Sequence, residues 1–148
     1  MPKDLLRILL LEDDDNDVAL LLRACRKARL PVWVHAVSDG QMGIDYLSGA
    51  GAFGNRADFP FPHLIVLDLV MRPVPGIGFL RWCRASAAYA GAPIAVLTAI
   101  TETREEIREA LRCGADRIWV KPSYPEEWPK LATRIYEFGI AQRSGPPA

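Results

Sequence analysis

The chain has 148 residues, half of them hydrophobic and 24% charged, which suits one globular domain with a core of its own. Eighteen basic residues balance eighteen acidic ones, so no global charge footprint points to nucleic acid or an anionic membrane. Cys25, Cys83 and Cys113 lie far apart with no C-x-x-C pair and no histidine beside them, which leaves neither a disulfide framework nor a zinc site to build on.

The first apolar run, Ile8–Leu11, predicts a strand. It is broken on either side by Arg7 and Glu12 and is too short for a signal-peptide core or a membrane span, so the expected location is the cytoplasm. Asp15 or Asp17 is expected to cap the next element, a helix in which Val18, Leu21, Leu22, Cys25 and Ala28 recur at helical spacing. Val32–Val37 reads as a second strand, and Ser38 or Asp39 as the cap of a short helix through Leu47. Residues 49–62 form a Gly-, Pro- and Phe-rich loop longer than such connections usually are. Leu64–Leu67 and Ile94–Leu97 predict the third and fourth strands, and Ile107, Ala110 and Leu111 the core stripe of a later helix. Ile118–Val120 predicts the last strand. Pro125 suits a helix start, Pro129 makes its first turn irregular, and Trp128, Leu131, Ile135 and Phe138 form its stripe. Trp33, Trp82, Trp119 and Trp128 read mainly as core, with Trp119 and Trp128 also candidates for a partner surface. Short, nearly continuous apolar runs alternating with amphipathic stretches predict an α/β, doubly wound, mostly parallel sheet with helices on both faces. The domain is expected over 5–141, with a disordered tail at 142–148 and no output domain after it.

Ligands of such sheets sit beyond the carboxyl ends of the strands. The first run ends in Glu12-Asp13, the third in Asp68, the fourth in Thr98-Ala99 and the fifth in Lys121-Pro122. Three carboxylates meeting at one edge repel unless a cation holds them, and a small all-oxygen set suits Mg²⁺ better than zinc. A carboxylate can also attack phosphorus to form a mixed anhydride. Lysine and a hydroxyl could then neutralise and hold the phosphoryl oxygens, with Ala99 leaving space for the incoming group. Any one of these residues alone reads as an ordinary cap or turn; the joint pattern carries the signal.

This constellation resembles the receiver domain of two-component response regulators. Gly76, eight residues after Asp68, and Gly114, seven before Lys121, match the family's glycines, and Asp39-Gly40 matches its second helix start. The likeness extends over roughly residues 5–140, and the long loop before Leu64 looks more narrowly like stand-alone receivers that serve bacterial phytochrome kinases. It implies a five-stranded flavodoxin-like sheet in order 2-1-3-4-5 and a single-domain response regulator that catalyses only its own phosphorylation and slow dephosphorylation. Asp68 would be the phosphoacceptor; Asp13, Asp68, the Val70 backbone carbonyl and, through a water, Glu12 would hold Mg²⁺. Thr98, Ala99 and Lys121 would bind the phosphoryl group, and Thr98 and Ile118 would occupy the switch positions. The implied partners are a sensor histidine kinase, with a bacterial phytochrome among the candidates, a downstream protein and a second copy through the last strand and helix, with no nucleic acid or membrane.

The sequence departs from the family in places. Ile118 stands where an aromatic switch residue is usual, and an isoleucine has no ring to swing. The turn after Asp68 carries Arg72 and Pro75 at altered positions. Val70 and Ile100, which would flank the hydrolytic water, are apolar, so the phosphorylated form is expected to last many minutes; a half-life of seconds would contradict this. Residues 49–54 match G-x-G-x-x-G but lie after a helix, and the calcium-loop-like run from Asp13 has Val18 and Ala24 where Gly and Glu are needed. His35 and His63 lack partner spacing. Two rivals remain: a haloacid-dehalogenase-type phosphatase, whose Asp-x-Asp-x-Thr pattern Asp13-Asp14-Asp15-Asn16 does not fit, and a pseudo-receiver that is never phosphorylated.

Overall fold

The computed structural model describes residues 4–71, 75–99 and 103–143. In chain order the elements are β1 (Leu6–Leu11), α1 (Asp15–Lys27), β2 (Val32–Val37), α2 (Gly40–Ser48), β3 (Leu64–Asp68), α3 (Gly76–Ala85), β4 (Ile94–Thr98), α4 (Arg104–Arg112), β5 (Arg117–Val120) and α5 (Trp128–Arg143). The strands form one sheet in the order β2-β1-β3-β4-β5, the order the family resemblance implied, with every neighbouring pair parallel as the sequence pattern predicted. The expected tail from residue 142 is corrected at its start, because α5 continues to Arg143.

Strand alternation divides the core in two. Leu9, Leu11, Ile65, Leu67, Ile94 and Val96 face the side covered by α2, α3 and α4. Ile8, Leu10, Leu64, Val66, Ala95 and Leu97 face Leu21 and Cys25 of α1 and Trp128, Leu131 and Ile135 of α5. With helices on both faces, β3 and β4 are buried throughout, and all but their last residues, Asp68 and Thr98, are apolar. The pattern fails at the rim. Leu111, expected inside, is 53% exposed, and of the tryptophans only Trp128 is fully in the core.

Local chemistry sets the helix ends. Asp14, in place of the expected Asp15 or Asp17, accepts the N–H groups of Asn16 and Asp17 and starts α1. Asp39 caps α2 as predicted, and Gly49 closes it in the left-handed region at φ 69°. Thr103 and Glu106 form a reciprocal capping box at α4, and a 3₁₀ turn over Pro125–Glu127 leads irregularly into α5. The long loop is fastened down. Arg56 donates to the last carbonyls of α2 at Tyr46 and Leu47 (2.7 and 2.6 Å), and the Tyr46 hydroxyl donates to Pro60 O at 2.8 Å. The departures at Arg72 and at Ile100 lie outside the described residues, as does the rest of the expected tail, 144–148. Among the described residues no helix is long and apolar enough to cross a membrane.

Candidate functional site

Parallel strands bring their carboxyl ends to one edge, and β3, in the middle of the sheet, puts Asp68 between Glu12-Asp13, at the end of β1, and Thr98, at the end of β4. Glu12 and Asp68 are buried (4% and 6% exposed), whereas Asp13 faces outward. One carboxylate oxygen from each of Glu12, Asp13 and Asp68 falls within 4.8 Å of the others. Lys121, the residue after β5, spends all three Nζ donors on carboxylates: Glu12 Oε1 at 2.5 Å, Asp17 Oδ2 at 2.8 Å and Asp68 Oδ2 at 3.2 Å. Its backbone N–H donates to Thr98 O at 2.7 Å, which ties the end of β5 to the end of β4.

The turn after β3 is built tightly around Asp68. The Val70 N–H donates to Asp68 Oδ1 at 3.1 Å, while the Val70 side chain is 57% exposed. Gly76 opens α3 where a Cβ would collide with the Asp68 carbonyl oxygen and press on Leu69 Cα, so its spacing from Asp68 reflects a close backbone approach. Thr98 is fully buried, and its Oγ1 has no hydrogen-bond partner among the described residues. Ala99 lines an adjoining cleft of about 390 Å³ with Asp17, Leu20, Lys121, Pro122 and Trp128. Ile118 is partly buried against the core on the α2–α4 face, opposite Val96.

The electrostatics are those of crowded carboxylates. Burial pushes Glu12 up to about 8; its hydrogen bond to Asp68 and the Asp68 charge add to this, while Lys121 pulls the other way. Burial alone would lower the Lys121 ammonium, but Asp17, Glu12 and Asp68 together hold it above the usual lysine range. Three convergent carboxylates with only oxygen donors fit a hard divalent cation such as Mg²⁺.

The structure thus brings together Glu12, Asp13, Asp68, Lys121 and the end of β4 at Thr98-Ala99, with Ile118 lying away from the carboxylates. Sequence reasoning missed Asp17. Among Asp13, Asp14, Asp15 and Asp17 nothing local separates a helix cap from a residue turned toward Lys121, 104 positions away.

No protein-family model matches the chain. It is 26% identical over 139 residues to the probable methanogenesis regulatory protein FilR2 of Methanothrix harundinacea, covering 94% of this chain and 86% of that protein. DNA-binding response regulators match at 39% identity over 66 residues, and the matched part spans only 28% of their length. Among solved structures, the response regulator in red light signaling of R. palustris superposes with a TM-score of 0.87 at 27% identity, covering 97% of this chain and all of that one. The bacteriophytochrome response regulator RtBRR superposes at 0.71 with 30% identity, covering 97% and 81%.

Proposed function

Because the chain belongs to the receiver domains of two-component response regulators, we propose that it accepts a phosphoryl group on Asp68 from a phosphohistidine of a sensor histidine kinase and signals through a change in surface packing. One observation carries the reading: a buried carboxylate, Asp68, sits 3.2 Å from the Lys121 ammonium and inside a three-carboxylate cluster. An Asp68 oxygen attacks phosphorus, the P–N bond breaks, and its electron pair returns to the imidazole nitrogen, which takes up a proton. Asp13, Asp68, the Val70 carbonyl and, through a water, Glu12 would hold Mg²⁺, which neutralises charge on the carboxylates and the phosphoryl oxygens when bound. Lys121 and Thr98 hold the phosphoryl oxygens, and Ala99 leaves them room. Transfer to Asp68 happens once per molecule, so the chain turns over no external substrate as an enzyme would.

The relatives in red light signaling and beside a bacteriophytochrome support a phytochrome-type kinase as the donor. A groove along Ile118, Trp119, Val120, Leu131 and Arg134 supports self-association through β5 and α5. The test is intact-protein mass spectrometry after incubation with Mg²⁺ and acetyl phosphate. Wild type should gain one phosphoryl group, and Asp68→Asn none. An adduct that persists in Asp68→Asn would move the acceptor elsewhere, and multiple turnover of a phosphate ester would favour a phosphatase instead.

A further inference from the structure

Lys121 has one carboxylate partner that is not a member of the cation-binding trio. Asp17 belongs to the first turn of α1, not to a strand end, and its backbone N–H is already taken by the Asp14 cap at 3.3 Å. Its side chain reaches across to Lys121 Nζ at 2.8 Å, with 21% of it exposed against 14% for Lys121. Glu12 and Asp68 are therefore shared between Lys121 and any cation, whereas Asp17, outside the trio, pairs with Lys121 and with no other cationic side chain among the described residues.

We propose that Asp17 is a positioning residue that parks the Lys121 ammonium, drawing it off the cation-binding carboxylates and making the phosphoryl group compete for it. The proposal rests on Asp68 being the phosphoacceptor beside a bound cation. An ammonium has three N–H groups, and all three are in use. When a cation claims Glu12 and Asp68, Asp17 remains as the anionic partner of Lys121, so the cost of losing the other two contacts falls. When phosphoryl oxygens arrive on Asp68, they must draw Lys121 away from Asp17 or share it. Asp17 therefore favours cation binding and opposes phosphoryl binding through the same lysine. A residue that only supported the fold would help both.

The test measures two affinities by calorimetry, Mg²⁺ alone and beryllofluoride, a phosphoryl mimic, at saturating Mg²⁺. The proteins are wild type, Asp17→Asn, Asp17→Glu, Asp15→Asn, Lys121→Met and the Asp17→Asn/Lys121→Met double variant. Asp17→Asn should weaken Mg²⁺ about fivefold and tighten beryllofluoride by a similar factor, within the range of partly buried charge pairs. Asp17→Glu should return toward wild type, and exposed Asp15→Asn should move neither. In the Lys121→Met background, Asp17→Asn should leave Mg²⁺ affinity unchanged, because its effect runs through the lysine. Shifts in the same direction, or a Mg²⁺ shift that survives in Lys121→Met, would overturn the role of Asp17 while leaving the site intact. Wild type that binds neither ligand would overturn the site reading itself, and the proposal with it.

Discussion

At the scale of single residues, His63 shows how a histidine can be structural. Its Nδ1 accepts the Arg7 N–H at 2.9 Å while its own backbone N–H donates to Arg7 O at 2.8 Å, joining the start of β3 to β1. A proton on Nδ1 would abolish that acceptor. Burial, reinforced by the charges of Arg7 and Arg143, lowers His63 from 6.5 to about 4. The folded protein thus binds this proton more weakly than the unfolded chain, and the stability involved is present above pH 6.5 and lost as pH falls toward 4. His35, lowered by burial, acts in the same direction. The thermal midpoint of wild type should fall across this window, and His63→Asn, which keeps an acceptor, should fall less. Equal slopes would remove His63 from the account. Neither this pairing nor Asp17 could be read from the sequence, because each depends on which strand or helix lies alongside. The spacing of Gly76 from Asp68, by contrast, was visible in the chain and has a backbone cause.

Among the five α-helices, α4 buries the fewest residues in the core. Ala110 is its single fully buried residue, whereas α3 buries Gly76, Phe79, Leu80 and Cys83. Its outward charges pair among themselves and with α3, as in Arg112 with Glu105 and Arg81 with Glu109, and such exposed pairs add little. The capping box therefore carries much of what holds the first turn. Backbone amides of α4 should exchange with solvent hydrogen well before those of α3 or β4, by about tenfold or more if opening is local. Protection in α4 equal to that in α3 would refute this. Strand positions were legible because β3 and β4 are covered on both faces and are apolar up to their last residues. Helix faces at the rim were not: Leu111 has the spacing of a core residue, but no layer lies beyond it. The anchoring of the long loop was also hidden, since an arginine that seeks carbonyls, as Arg56 does, leaves no periodic trace.

For the molecule as a whole, the parallel sheet and the convergence of strand ends came from the alternating pattern and the identity of each terminal residue, while the strand order came from the family resemblance. What the pattern left open is the behaviour of the β5 edge. Val120 is 52% exposed beside partly buried Trp119, and together with α5 they leave an apolar strip uncovered. We expect sedimentation to show a dimer at micromolar concentration, and Val120→Glu to give a monomer that still accepts phosphate. A wild type that stays monomeric would exclude this surface. Thr98 has a different reach. Its buried Oγ1 has no hydrogen-bond partner among the described residues, and a buried hydroxyl left so costs about 1–3 kcal/mol, a cost that the proposed phosphoryl oxygen on Asp68 would remove by accepting from it. On the proposed function the unphosphorylated form would be the penalised one, and the gap separating it from the signalling form would narrow. On that reading the relay would trip on a weak input, because each phosphoryl group that arrives also removes a standing cost.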